Sequence, residues 1–162
     1  LLSKKILQND LVLKINDSKK LSEKKRIFLA KFIKDNSIYS IGTANSNEID
    51  KLNILQATNL SMIRAYKKLN KTENSVKIDG LKTFFLNDRT TFIKNGDQKS
   101  VCIAAASIIA KTWRDKLMIF YSKVYPMYGW DKNKGYGTYE HRNAIKKFGL
   151  TRIHRRSFLR NF

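Results

Sequence analysis

The sequence predicts an α/β domain with a mixed sheet, and three observations predict it. Segments with helical periodicity alternate along the chain with short, β-branched segments bounded by turn residues. The composition, 42% hydrophobic and 11% aromatic with seven glycines and one proline, excludes collagen-like, low-complexity and disordered classes. The length, 162 residues, is that of one domain, and no repeat or linker divides the span 1–162.

Residues 1–20 are polar and basic with a turn-like Asn16-Asp17-Ser18, and read as an extended lead-in or strand remnant. Ser22 as cap and Glu23 in the first turn open a helix over 22–36, with Ile27, Phe28, Leu29, Phe32 and Ile33 at helical spacing. Tyr39, Ile41 and Thr43 alternate with small residues and predict a short strand ending at Asn45-Ser46-Asn47. A helix over 48–69 follows from the stripe Ile49, Leu52, Leu55, Leu60, Ile63 and Tyr66, with Lys67, Lys68 and Lys71 at the end where cations complement the helix dipole. Residues 75–80 and 90–94 are strands. The next helix, over 100–124, stops before Pro126. It carries Ala104, Ala105, Ala106, Ser107 and Ala110, whose small side chains allow close approach and make it the central buried helix. Residues 128–138 read as a Gly-interrupted loop, 139–148 as an amphipathic helix ended by Gly149, and 151–160 as a basic tail.

The net charge of +20 repels itself unless a polyanion neutralises part of it, so nucleic acid is the first candidate partner. No apolar run reaches about 18 residues, and the opening LLSKKILQND has neither signal nor transit character. The chain is therefore expected to be soluble and cytoplasmic, without membrane or protein partners. The single cysteine, Cys102, has no disulfide partner, and its apolar surroundings predict a small buried core residue.

Asp79 ends the apolar strand VKID, where open α/β sheets place their sites; the other reading is a turn that stops a strand. Asp115 shares a helix face with Ile108, Thr112, Met118 and Ile119, so its charge needs a partner. That partner is either Arg114 or Lys111 in a salt bridge, or a cation held jointly with a carboxylate such as Asp79. Residues 132–138 combine Lys132, Lys134, Gly135, Gly137 and Tyr136, which suits close approach to a phosphodiester and stacking on a sugar or base, or else forms a mobile loop before a cap at Thr138. His154, Arg155, Arg156 and Ser157 are a cationic cluster fit for phosphates or for solvent. His141 and His154 lack ligand spacing and read as structural.

Seven ordered segments carry a resemblance: 16–22 (NDSKKLS), 48–50 (EID) with Asn53-Ile54, 76–80 (VKIDG), 96–100 (GDQKS), 104–115 (AAASIIAKTWRD), 134–138 (KGYGT) and 153–158 (IHRRSF). Together they resemble the ribonuclease HII family over residues 16–158. The resemblance implies an RNase H-like α/β fold and an endonuclease that hydrolyses the RNA strand of RNA–DNA hybrids, or cuts at ribonucleotides embedded in DNA. It implies four carboxylates holding two divalent cations, Mn²⁺ or Mg²⁺, with Asp79 and Asp115 matching two of the four. It further implies that Tyr136 senses the ribose 2′-OH and that Lys19 contacts a phosphate. Asp97, Ser100, Lys134, His154, Arg155 and Arg156 would be further neighbours of the nucleic acid.

One departure stands out. The family opens with an Asp-Glu pair followed by Ala-Gly-Arg-Gly, and nothing in residues 1–21 matches it. With Leu1 in place of Met, the chain reads as N-terminally truncated, residues 1–14 being the tail of a missing strand region, and is expected to be inactive as it stands. The alternative is a basic nucleic-acid-binding module without catalysis, which +20 charges and an aromatic Gly loop suffice to explain. A structural basic protein is a third reading that leaves Asp115 unexplained.

Overall fold

A computed structural model describes residues 1–70 and 75–159; the expected helix-end cation Lys71 and tail residue Arg160 lie outside them. The first residues do not run extended. Ser3 accepts from the Ile6 amide to cap a single turn, α1 (Lys4–Leu7), and Asn9 accepts from the Leu11 amide to cap a 3₁₀ turn over Asp10–Lys14. This corrects the expected extended lead-in: local caps nucleate turns, and burial of Ile6 and Ile15 in the core holds them. Helix α2 (Glu23–Asp35) starts where predicted, with Ser22 accepting from the Lys25 amide, and buries Leu29, Ala30 and Ile33.

The strand expected around Tyr39, Ile41 and Thr43 does not form; among the described residues the ladder contact nearby is one antiparallel bridge, Leu2 to Ser37. The segment lies instead along α3 (Ser46–Leu69), whose side chains take its carbonyls: Lys68 donates to Ile41 O and Arg64 to Thr43 O, while the Ser40 hydroxyl donates to Ala65 O. Gly42 permits this approach, since a Cβ there would sit 1.9 Å from Ser61 O and 2.6 Å from Ala65 N. Asn45 and Glu48 form a reciprocal capping box at the start of α3. The helix is also interrupted: Asn53 is left-handed at φ 69°, and its side chain accepts from the Gln56 amide to restart the helix.

Strands β1 (Val76–Asp79) and β2 (Thr90–Ile93) pair in parallel, Val76 opposite Thr90 and Asp79 opposite Ile93. After one turn, α4 (Gly96–Lys99), the chain enters α5 (Val101–Val124), which packs on α2 through Ala104, Ala105, Ile108 and Ile109 against Leu29, Ala30 and Ile33. The small residues give the expected close packing. Cys102 is exposed, which corrects its expected burial: it repeats at helical spacing with Ala106 and Ala110 on the outward face.

Residues 128–138, expected as a loop, are partly helical. A 3₁₀ turn over Pro126–Tyr128 leads into α6 (Trp130–Asn133), and the Asn133 amide group donates back to Tyr128 O. Helix α7 (Tyr139–Phe148), capped by Thr138, matches its predicted range. Tyr128, Trp130 and Ala144 form a second core cluster, with Tyr128 and Trp130 stacked at 4.9 Å between centroids. The expected basic tail is tied down. Asp50 accepts from the Arg156 and Ser157 amides and from the Ser157 hydroxyl, holding a 3₁₀ turn over Arg156–Leu159. Among the described residues no helix is long and apolar enough to cross a membrane. The architecture is α/β, a small parallel sheet flanked by helices.

Candidate functional site

Asp79 is the last residue of β1 and is exposed. Its Oδ1 accepts from the Gly96 amide at 2.7 Å. A Cβ at Gly96 would lie 3.3 Å from that oxygen and 2.5 Å from Ile103 Cδ1, so both side chains would have to give way. The hydrogen bond ties the start of α4, the turn that carries Asp97, to the end of β1, just ahead of α5.

Asp115 is twelve residues beyond Ile103, about 18 Å further along the helix axis. It is 5% exposed, and its carboxylate is met by cations: Lys111 Nζ at 2.6 Å, Arg26 Nη2 at 3.3 Å and Arg114 Nη1 at 4.0 Å. Arg26 also donates to Ser18 O and Leu21 O, so Asp115 ties the loop bearing exposed Lys19 to α5. Among the described residues, no three His, Cys, Asp or Glu side chains gather at metal-ligating range. Asp79 and Asp97 are hard oxygen donors that suit one largely hydrated divalent cation.

The same cations frame Tyr136. Its ring is 56% exposed, with Lys111 Nζ 5.4 Å and the Arg114 guanidinium 5.1 Å from its centroid. Arg114 Nη1 is buried with no hydrogen-bond partner. Arg155 stacks on Phe158 at 4.2 Å, and its pKa is pushed down by burial and then by the charge of Arg114. Crowded, desolvated guanidinium groups beside an exposed ring have unmet demand for an anion.

The remaining candidates divide. Arg156 is exposed, and Ser100 heads α5 without a side-chain capping bond. Lys134 has left-handed backbone, and its ammonium donates to Asp131 O. His154 is 8% exposed. It packs with His141, Trp130 and Tyr128 behind the Tyr136 loop. Arg26 and the pairing of Lys111 and Arg114 with Tyr136 were missed in the sequence; helical spacing gave Lys111 and Arg114 as partners of Asp115, but nothing local signals Arg26, 89 residues away.

The profile of the family "Ribonuclease HII" matches residues 3–161. The chain belongs to the ribonuclease HII family. It is similar to the ribonuclease HII of Pelagibacter ubique (strain HTCC1062), 50% identical over 155 residues that make up 94% of this chain and 83% of that protein. It is also similar to those of Clostridioides difficile (strain 630), 48% identical over 91% of this chain and 58% of that protein, and Rickettsia bellii (strain OSU 85-389), 48% identical over 93% and 76%. The chain thus spans little more than half the length of the C. difficile relative. By family it is a hydrolase, an endoribonuclease, and the cationic frame of Tyr136 lies inside the matched region.

Proposed function

We propose that this ribonuclease HII chain binds RNA–DNA hybrids, and DNA carrying single ribonucleotides, across the basic face around Tyr136, and that it serves cytoplasmic endonucleolytic hydrolysis of the RNA-containing strand. The observation that carries this is the exposed Tyr136 ring flanked by Lys111 and Arg114 with Arg155 beside them. Cations set the sugar–phosphate backbone, and the ring and hydroxyl address one ribose. Lys19 and Arg156 extend the phosphate contacts, with Ser100 and Lys134 at its margins.

Asp79 and Asp97 are the carboxylates we assign to Mn²⁺ or Mg²⁺. Bound there, a divalent cation supplies Lewis-acid stabilisation of the charge that develops on the phosphate and an activated water; the full reaction is read as two-metal hydrolysis with the 3′ oxygen leaving. Asp115, which the resemblance matched to a ligand, is assigned a positioning role, because three cations already claim its carboxylate. Isothermal titration with Mn²⁺ tests this. Weak binding by the chain, lost in Asp79→Asn and in Asp97→Asn and kept in Asp115→Asn, is the expected result; loss only in Asp79→Asn and Asp115→Asn returns Asp115 to the metal.

A second reading, a nucleic-acid-binding module without catalysis, is favoured by the lack of any three-donor cluster among the described residues. Both readings predict binding to a duplex with one ribonucleotide. Mn²⁺ binding separates them: weak binding lost in Asp79→Asn supports the first reading, and no Mn²⁺ binding by the chain supports the second.

A further inference from the structure

Behind Tyr136 lies a polar chain whose hydrogen positions are fixed by its ends. Trp130 Nε1 carries only a donor and lies 3.0 Å from His141 Nε2, so that nitrogen accepts. His141 must then carry its proton on Nδ1, which faces the Tyr136 carbonyl at 2.9 Å, an obligate acceptor. At the other end the Thr151 amide donates to His154 Nδ1 at 2.9 Å, leaving the His154 proton on Nε2, 3.4 Å from His141 Nε2. The donors thus converge on His141 Nε2, from Trp130 at 3.0 Å and from His154 at 3.4 Å, and His141 Nδ1 donates onward to the Tyr136 carbonyl.

We infer that His141 and His154 are a directional relay of neutral imidazoles that positions Tyr136 for nucleic-acid recognition, His141 acting on it through the Tyr136 carbonyl. The inference about recognition rests on the reading of Tyr136 given above; the relay itself does not. Both rings are buried, and their hydrogen-bond and ring partners are Tyr128, Trp130, Thr151 and the Tyr136 carbonyl, none of them a carboxylate able to stabilise an imidazolium. The charged residues nearest in the chain are Glu140 and Arg142 beside His141, and Arg152, Arg155 and Arg156 around His154. Burial and then the neighbouring His141 hold His154 at about 4, so the His154 ring stays neutral at physiological pH. A second proton on His141, at Nε2, would set N–H against N–H across the 3.4 Å gap, and one on His154, at Nδ1, would set it against the Thr151 amide.

Two measurements on the 162-residue chain test it. Nitrogen-15 correlation spectra at pH 7 read the tautomers directly: protonated Nδ1 on His141 and protonated Nε2 on His154 are expected, and the proton on His141 Nε2 overturns the relay. Next, affinity is compared for a DNA duplex bearing one ribonucleotide and its all-DNA counterpart, together with hydrogen exchange over residues 134–138. His141→Asn keeps a donor where Nδ1 lies and is expected to preserve the affinity ratio. His141→Phe removes it and is expected to lower the ratio about fivefold, the net worth of one hydrogen bond, and to speed exchange in the loop. Should His141→Phe not fold, His141→Asn and the tautomers still decide. Unchanged ratio and exchange in a folded His141→Phe overturn the positioning role. A wild-type ratio of one refutes the ribose-sensing reading and the relay's part in recognition, while tautomers and exchange still judge the relay.

Discussion

Tyr136 shows how a single exposed ring can be both held and available. Its backbone is fixed, the carbonyl accepting from His141 and from the Thr138 amide, while cations frame its 56% exposed side chain. Tyr136→Phe keeps the ring and the frame and deletes the hydroxyl; it is expected to leave the thermal midpoint unchanged and to reduce preference for a ribonucleotide-bearing duplex over DNA, measured as an affinity ratio. A lower midpoint with unaltered preference would show instead that the residue merely packs. Asp115 behaves oppositely. Removing its carboxylate leaves Arg26 and Lys111 partly buried without their anion, and such losses cost roughly 3–5 kcal/mol. Asp115→Ala is therefore expected to lower stability by that order in urea unfolding, and to weaken nucleic-acid binding because the Lys19 loop and the Tyr136 frame are both anchored through it.

At the level of elements, the extended segment over 38–45 is secured by its contact with α3, so a methyl group at Gly42 has nowhere to go: the atoms it meets are helix backbone. Gly42→Ala is expected to destabilise by about 1–3 kcal/mol in denaturant unfolding. The turn holding His154 carries a pH signature. The unfolded chain binds that proton below about pH 6.5, the ordinary value, whereas the folded chain takes it up only near 4, because burial and then His141 oppose the charge. Its contribution is thus fully present above pH 6.5 and is lost as the pH falls from there towards 4. Thermal midpoints should decline over that window, and His154→Phe, if folded, should flatten the decline. The elements legible in the sequence were those signalled locally: Ser22 and Thr138 as caps, the β-branched runs of β1 and β2, the apolar repeats of α2 and α5. Alternation at Tyr39, Ile41 and Thr43 mimicked a strand because the partners of those carbonyls lie more than twenty residues away on α3. In the site, the position of Asp79 and the exposure of Tyr136 were legible; the three-cation surround of Asp115 and the burial of His154 depend on packing between distant segments.

For the molecule as a whole, the +20 charge sets affinity and the carboxylates set chemistry, and the two are tested separately. If Lys19 and Arg156 neutralise phosphates, log K should fall with log salt at about −0.9 per contact, and each Ala substitution should flatten the slope by about one unit. Lys134→Ala should flatten it less, since that ammonium is already spent on Asp131 O. Cleavage follows other residues. An Asp-Glu pair followed by Ala-Gly-Arg-Gly is not present in residues 1–21, so of the four carboxylates the resemblance implies, this chain offers two. Loss of one preorganised group that stabilises transition-state charge typically lowers kcat by about 10²-fold, so two missing ligands lower it by roughly 10⁴-fold if they act independently. The 162-residue chain is therefore expected to bind a duplex with one embedded ribonucleotide and to leave it uncut in Mg²⁺ or Mn²⁺, under conditions where the Pelagibacter relative serves as positive control. Metal-dependent cutting at the ribonucleotide at a rate comparable to that control, abolished by Asp79→Asn, would show that two carboxylates suffice and that the requirement for four does not hold for this chain.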